Sequence, residues 1–263
     1  MGNIDIVISS AVTYTRNKFQ MVPLWLWLLQ IVCTSFFSMF FFVILADYVS
    51  NPEVTVRYVV IGNVVQSMAA TTLYSVSDLP GTEKHVGTLS PLMQTPANLF
   101  CVFLGMSILN IVAGLISSTL SLGYAQFVFG IDLTMANFLS VVVIVLLTVF
   151  SLTGFGMMIG SVGLRLRTSS IIANIVSYIG LLICGVNFPL SYLPEWVQAV
   201  ASALPLTYGV EAMRGAVDGA NILDIGGGLL TMTILGLVYF IISLVMFRMF
   251  EKLARNNGSY EMF

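Results

Sequence analysis

The hydrophobic residues of this chain form long uncharged runs that are separated by short polar segments. Six runs carry no charged residue: 19–46, 58–77, 86–131, 133–164, 168–194 and 225–247. Each is long enough for the ~20 residues with which an α-helix crosses a bilayer. Backbone groups must find partners inside lipid, and a spanning barrel would instead show ~10-residue alternating segments. The pattern predicts an all-α polytopic membrane protein.

Prolines set the limits of one predicted helix. The run 86–131 is too long for one span, and Pro91 and Pro96 break it because proline lacks a backbone N–H and clashes with the preceding turn. Residues 78–96 then form a connector outside the membrane. We predict a single membrane domain, 1–263, with six transmembrane helices at about 21–46, 58–77, 98–128, 136–162, 169–189 and 227–249.

Two further segments have helical patterns but do not fit a span. Residues 3–20 place apolar side chains on one helical face, which predicts an amphipathic helix in the membrane interface, with a frayed tail as the alternative. That face holds Ile4, Val7, Ile8, Ala11 and Val12. After the fifth span, prolines cut residues 190–226 into apolar pieces too short to cross, so we expect short re-entrant helices in the outer leaflet.

The distribution of basic residues predicts the orientation. With six spans, eight of the ten Lys and Arg residues lie on the side of the termini: Arg16, Lys18, Lys84, Arg165, Arg167, Arg248, Lys252 and Arg255. Only Arg57 and Arg214 lie opposite. Because cytoplasmic loops carry the excess of Lys and Arg, we expect a multi-pass protein of the cell (inner or plasma) membrane with both termini in the cytoplasm.

Composition excludes several kinds of chemistry. Only 8% of the residues are charged, against roughly 25% in soluble domains, and none of these lies in the middle of a predicted span, which argues against an ion-coupled carrier. The lone His85 and three scattered cysteines predict no metal site and no cofactor in this chain. The sequence contains no G-x-x-x-x-G-K-[ST] phosphate-binding loop, so if this chain moves a substrate uphill, the energy comes from another subunit. Basic residues are too dispersed for a nucleic-acid surface.

The connector carries a charged and proline-bounded patch, TEKHVGTLSPLMQTPAN at residues 82–98. Glu83 and Lys84 supply charge, and Leu89 and Leu92 form an apolar ridge at helical spacing. Thr88 or Ser90 is placed to cap a short helix whose first turn contains Pro91. The patch suits docking of a cytoplasmic subunit, and an ordinary polar connector is the alternative.

Two ordered motifs resemble one family. The pattern E-x3-G-T-L-x2-L-x2-T-P resembles the cytoplasmic coupling segment of type-2 ABC exporter permeases, although His85, Val86 and Pro91 depart from that family. The pattern is carried by Glu83, Gly87, Thr88, Leu89, Leu92, Thr95 and Pro96. Residues 187–215, NFPLSYLPEWVQAVASALPLTYGVEAMRG, resemble the family's segment after the fifth span.

The resemblance implies a permease pair, either a homodimer or a heterodimer with a similar chain, docked on two cytoplasmic ABC ATPase subunits that bind ATP and Mg²⁺. Coupling would use the residues of the first motif together with Lys84 and Arg16 on the N-terminal helix. The implied function is ATP-driven export of an amphipathic drug, peptide or lipid-like substrate by alternating access, from a membrane-embedded chain that is not itself an enzyme. Export of a lipid-linked glycan, an ion-coupled carrier and a non-transporting assembly protein remain alternatives.

Polar stripes on two spans are candidates for the translocation path, which in this family is lined mainly by the second and fifth spans. The stripes consist of Asn63, Gln66, Ser67, Ala70 and Tyr74 on the second span and Asn174, Ser177, Tyr178 and Leu181 on the fifth. Polar side chains in a span face protein or a cavity, so hydrogen bonding between helices is the alternative. Glu211 and Arg214 are spaced to pair on one helical face in the outer segment.

Overall fold

The structure is a computed structural model that describes residues 2–49, 52, 54–134, 136–164 and 169–257, with no side chains described at 169, 170 and 254–257. Its eleven α-helices and one 3-10 turn are α1 (Asn3–Met21), α2 (Leu24–Val49), α3 (Val56–Ser77), α4 (Leu79–Val86), α5 (Leu89–Gln94), α6 (Leu99–Phe127), α7 (Phe138–Gly163), α8 (Ser169–Ile183), the 3-10 turn (Leu190–Tyr192), α9 (Glu195–Ser202), α10 (Pro205–Val217) and α11 (Gly226–Asn257). Of the basic residues used for orientation, Arg165 and Arg167 and the side chain of Arg255 lie outside the described part.

Five helices are long and apolar enough to cross a membrane: α2, α3, α6, α7 and α11. Their limits lie close to five of the predicted spans, and the predicted start of the third span near residue 98 matches the Asn98 cap of α6. The Asn98 side chain accepts a hydrogen bond from the backbone N–H of Phe100, at 3.0 Å. The all-helical, multi-pass prediction is therefore confirmed, with five candidate spans among the described residues.

The predicted fifth span differs from the structure. Helix α8 has 15 residues and ends at Ile183, six residues before the predicted limit of 189. The chain leaves the helix at Gly185, whose φ of 72° lies in the left-handed region that glycine adopts readily. At 1.5 Å per residue, α8 is shorter than the roughly 30 Å hydrocarbon core.

Helix α3 occupies the centre of the bundle. It packs against α2, α6, α7, α8 and α10, and most of its side chains are buried. Helices α7 and α11 form the most extensive pair; Ser151 of α7 joins it by donating a hydrogen bond to the Met232 carbonyl of α11 at 2.9 Å. The central position of α3 means that its polar stripe faces protein or cavities, not lipid.

The N-terminal helix α1 lies along α6 and presents an apolar stripe away from the bundle. Ile6 and Tyr14 pack against the core cluster that contains Phe103 of α6. On the other face Ile4, Ile8 and Val12 are 74%, 57% and 62% exposed. Because these three follow the i, i+4, i+8 spacing of one helical face, α1 carries an exposed apolar stripe, and its place in the membrane interface stays a prediction.

Candidate functional site

The structure brings most of the predicted path residues into one cavity, which we call the central cavity. It measures about 290 Å³ and lies between α2, α3 and α8. Eight of the nine predicted path residues line it: Gln66, Ser67, Ala70, Tyr74, Asn174, Ser177, Tyr178 and Leu181. No side chain of its lining is charged, so the cavity can bind polar groups only through hydrogen bonds and dipoles.

Helical spacing explains why these residues converge. Gln66, Ala70 and Tyr74 follow each other at intervals of four on α3, and such residues share one helical face. On α8 the intervals of three and four from Asn174 to Leu181 do the same. The two stripes can therefore face each other across a single space.

Sequence reasoning missed the third wall of the cavity. Thr34, Ser35 and Ser38 of α2 complete the lining. The sequence does contain a pattern that indicates this wall, because these three polar residues stand at helical spacing within an otherwise aromatic and aliphatic span. Ser35 also binds Ser117 of α6, with 2.8 Å between the two hydroxyl oxygens. Its hydroxyl joins two helices at the edge of the cavity.

Two of the predicted path residues form contacts between elements. Asn63 does not line the central cavity; its Nδ2 donates to the carbonyls of Val59 and of the Asn187 side chain, both at 2.9 Å. Ser67 lines the cavity but shares a 2.7 Å hydrogen bond with Ser121 of α6. For Ser67 the alternative of hydrogen bonding between helices describes the geometry, whereas Asn63 joins α3 to the bend after α8.

Two other residues of the cavity keep polar atoms without protein partners. The Oε1 atom of Gln66 and the Oγ atom of Ser177 are buried and make no hydrogen bond within the described part of the protein. A buried polar atom without a partner costs about 1–3 kcal/mol. Both atoms are therefore suited to accept a hydrogen bond from a ligand or water in the cavity.

The predicted coupling segment, residues 78–96, folds as the two short helices α4 and α5, joined at Gly87. The φ of Gly87 is 80°, and the N–H groups of Gly87 and Thr88 donate to the carbonyls of Lys84 and Glu83 at 3.1 and 2.9 Å. This is the Schellman pattern of helix termination. A Cβ atom at residue 87 would meet no neighbour within 4 Å, so the turn requires glycine for its backbone conformation and not for space.

The capping role predicted for Thr88 is different in the structure. Its hydroxyl forms no cap of α5 but donates to the Glu83 carbonyl at 3.1 Å and to the Glu83 carboxylate. Thr88 therefore fixes the end of α4 and orients the Glu83 side chain. The geometry makes the junction between the two short helices stiff.

The apolar ridge predicted for partner contact is also corrected. Leu89 is 5% exposed and packs with Met93 in the core cluster beneath the segment, so it anchors the coupling segment and is not available to a partner in this structure. Val86 is 54% exposed, Leu92 is half-buried, and Pro96 and Thr95 are exposed. The accessible face of the segment is centred on Val86, Gly87 and Thr88.

The N-terminal helix lies next to the coupling segment. A groove of about 490 Å³ separates α1 from α4 and α5, and Glu83, Thr88, Leu92 and Thr95 contribute to it. Arg16 is exposed on α1, and Lys84 is half-buried on α4. The two elements predicted to take part in coupling are therefore neighbours.

The predicted pair of Glu211 and Arg214 is not formed. Among the described residues, Arg57 and Asp218 form an ion pair at 2.6 Å. The Arg214 guanidinium donates instead to the carbonyls of Gly185, Val186 and Tyr58 at 2.7, 3.0 and 3.3 Å. It also lies 3.4 Å from the centroid of the Tyr58 ring.

The environment of Arg214 leaves it charged at neutral pH. Burial lowers the pKa of Arg214 to about 10, against the attraction of Tyr58 and Glu211. The carbonyls that it binds belong to the bend after α8 and to the first turn of α3. Arg214 therefore connects the end of α8 to α3. No spacing pattern in the sequence indicates this contact.

Comparison with known proteins identifies the family. A search of curated proteins finds no match, and the described residues contain no group of three or more His, Cys, Asp or Glu suited to a metal. A family model described as ABC-2 type transporter matches residues 64–217, more than half of the 263-residue chain. The match extends from the cavity-lining part of α3 to the end of α10, and thus includes the coupling segment. The chain belongs to the ABC-2 type transporter family and is a membrane component of that kind of transporter.

Proposed function

We propose that this chain is the permease subunit of an ATP-driven exporter that moves an amphipathic substrate out of the cytoplasm. It would work as a pair of permease chains docked on two cytoplasmic ABC ATPase subunits, which bind ATP and Mg²⁺. The observation that carries this proposal is the central cavity, whose uncharged hydroxyl and amide lining is built from α2, α3 and α8. Family permeases work with ABC ATPase subunits in general, which supports the division of labour.

The surroundings of the cavity support an amphipathic substrate. On α8, Ile175, Ile179 and Leu182 are 53%, 42% and 57% exposed beside the polar lining. A substrate with a polar group and an apolar body would match hydrogen-bonding groups inside the cavity and aliphatic side chains next to it. The same exposed face of α8, together with that of α2, is available to a second permease chain.

The coupling segment would transmit the ATPase motion. Three hydrogen bonds close the end of α4 and stiffen its junction with α5. The Gly87 N–H donates to the Lys84 carbonyl, and the N–H and hydroxyl of Thr88 both donate to the Glu83 carbonyl. Leu89 anchors α5 in the core. A partner that pushes on the exposed face around Val86 would move α4 and α5 as one body.

A blocked cavity tests the proposal. Ala70 is exposed and lies at the centre of the lining, so Ala70→Trp should fill the cavity without displacing packed neighbours. Ala199→Trp, at an exposed alanine of α9, is the matched control. Proteoliposomes would contain the permease with its cognate ATPase and, as probes, rhodamine 6G and headgroup-labelled phosphatidylethanolamine.

We expect ATP-dependent outward movement of at least one probe by the wild type and by Ala199→Trp, and at least a tenfold loss in Ala70→Trp, which corresponds to about 1.4 kcal/mol. ATP hydrolysis by the docked ATPase should remain in all three. Equal transport by Ala70→Trp and the control would contradict a path through the central cavity. Transport that requires an ion gradient and no ATPase would contradict the proposed function as a whole.

A further inference from the structure

A second cavity adjoins the central one on the side of the coupling segment, and we call it the inner cavity. It measures about 330 Å³ and lies between α1, α2, α3 and α6. The two cavities share the wall formed by Thr34, Ala70, Thr71 and Tyr74. The two cavities are therefore adjacent.

The inner cavity differs from the central one because it carries charge of both signs. Lys18 of α1 and Asp78 at the end of α3 both line it, yet among the described residues they form no ion pair within 4 Å. Thr82 donates to one carboxylate oxygen of Asp78 at 3.2 Å, and the Lys18 ammonium lies 5.9 Å from the centroid of the Tyr14 ring. The two charges face a common space with capacity for further partners.

Burial acts on both charges. Burial lowers the pKa of Lys18, and the attraction of Asp78 opposes this shift. Burial also raises the pKa of Asp78, against the hydrogen bond from Thr82 and the attraction of His85 and Lys18. A charged group that is partly removed from water is stabilised by a ligand group of opposite charge.

An unpartnered amide supplies the second observation. Asn110 of α6 lines the inner cavity and is 3% exposed, and its Nδ2 has no hydrogen-bond partner in the described part of the protein. A buried donor without a partner in a cavity of this size indicates that the cavity is built for a polar occupant.

We propose that the inner cavity binds a zwitterionic group, with its anionic part on Lys18 and the Asn110 amide and its ammonium on Asp78. The volume of about 330 Å³ lies at the lower end of the roughly 300–1,000 Å³ of small-ligand sites, so it holds a headgroup and leaves little room for a long alkyl chain. The body of the ligand then extends into the adjoining central cavity. The ligand's role as cargo rests on the proposed function, but its binding does not.

Trp27 provides a direct reporter, since it lines the inner cavity and is 8% exposed. A Trp25→Phe, Trp196→Phe protein retains Trp27 alone, and a Trp25→Phe, Trp27→Phe protein retains the exposed Trp196 as the control for non-specific partition. In nanodiscs without ATPase, fluorescence would be titrated with three probes that share a dodecyl chain: zwitterionic dodecylphosphocholine, cationic dodecyltrimethylammonium and anionic dodecyl phosphate.

The charges make a specific prediction about preference. The zwitterion should bind about tenfold more tightly than either singly charged probe, as expected when a charge-assisted contact is lost. Lys18→Gln should shift the preference to the cationic probe, and Asp78→Asn should shift it to the anionic probe. The matched controls Lys252→Gln and Asp224→Asn, at exposed positions elsewhere, should keep the wild-type order.

A variant that leaves the charges in place guards against misfolding. Ala113 lines the same cavity, and Ala113→Leu should weaken all three probes together while the size-exclusion profile stays unchanged. Identical affinities for the three probes, or an order that Lys18→Gln and Asp78→Asn leave unchanged, would overturn the proposal.

Two sources of such a zwitterion can be separated by competition against dodecylphosphocholine. Glycerophosphocholine represents a lipid headgroup, and trialanine represents a peptide with free termini. Displacement by both at similar concentrations would show that the charge pair alone is recognised. Displacement by only one of them would identify that compound's class as the source. Displacement by neither would contradict a zwitterion site. Export that persists in proteoliposomes while this binding fails would overturn the inner site and leave the proposed function standing.

Discussion

The contacts of Arg214 predict that one outer arginine stabilises the protein far more than another. Arg214→Ala would remove the guanidinium that joins the bend at Gly185 and Val186 to Tyr58 of α3. The comparison is Arg57→Ala, which removes the ion pair with Asp218, whose side chains are 45% and 65% exposed. Both changes delete one arginine on the predicted outer side.

The magnitudes follow from the two environments. A hydrogen bond from a charged group contributes about 1.5–3 kcal/mol, and a cation over an aromatic face contributes about 0.5–2 kcal/mol. A single nitrogen of Arg214 makes all three hydrogen bonds, so only the two shorter ones, at 2.7 and 3.0 Å, count fully. We expect Arg214→Ala to lower the free energy of unfolding by at least about 3 kcal/mol, the lower limit for two such hydrogen bonds, and Arg57→Ala by about 0–1 kcal/mol.

The assay is the thermal stability of the detergent-solubilised chain, followed by fluorescence-detected size exclusion. By the scaling for domains of this size, Arg214→Ala should lower the melting temperature by roughly 10 °C, and Arg214→Lys by about half as much because an ammonium lacks the planar fork. Gly62→Ala should resemble Arg214→Ala, because a Cβ atom there would overlap the Val186 carbonyl. Glu211→Gln should be neutral. A loss in Arg214→Ala no greater than that in Arg57→Ala would refute the reasoning.

Three further predictions concern the coupling segment, the topology and the energy source. Gly87→Val should reduce ATP-coupled transport at normal membrane abundance, because the φ of 80° strains a β-branched residue. Gly87→Asn should retain most transport, because asparagine tolerates this conformation. Equal transport by the two variants would contradict the role of the turn. In a cysteine-free background, a cysteine at Lys84 should be shielded from an impermeant thiol reagent in intact cells and one at Asp218 should react, and the reverse result would overturn the orientation. The purified chain alone should hydrolyse no ATP, while co-purification with its cognate ATPase should restore hydrolysis; activity of the isolated chain, free of contaminants, would contradict the division of labour.

Residue patterns along the chain were sufficient for five of the six predicted spans and for two of the three walls of the central cavity. Uncharged runs determine where helices cross, and helical spacing determines which side chains share a face, so the stripes on α3 and α8 were predictable before their convergence was known. The same spacing wrongly paired Arg214 with Glu211, because it compares only side chains three or four residues apart on one helix and takes no account of backbone carbonyls. Two of the carbonyls that Arg214 binds, those of Gly185 and Val186, are freed by the bend after α8, and such backbone acceptors have no signature in residue type.

Leu89 and Lys18 show a second limit of sequence reasoning. Leu89 stands at helical spacing with Leu92, but only the packing of α5 on the core decides that one is buried and the other half-buried. Lys18 and Asp78 are 60 positions apart in the chain, and they meet because α1 folds back along α6. Contacts between distant segments require the tertiary structure, whereas faces of one helix do not.

The absence of a linker between α3 and α4 gives the two cavities a mechanical connection to the coupling segment. Asp78 is both the C-cap of α3 and the N-cap of α4, and its carbonyl accepts the first backbone hydrogen bond of α4 from Thr82 at 2.8 Å. Helix α3 carries the wall shared by the central and inner cavities. Because packed helices move as rigid bodies, a displacement of α4 by the proposed ATPase subunit would tilt or shift α3. We infer that a movement of α4 reaches the cavities through α3 itself. Asp78 lies at the point where the coupling segment, the inner cavity and α3 meet.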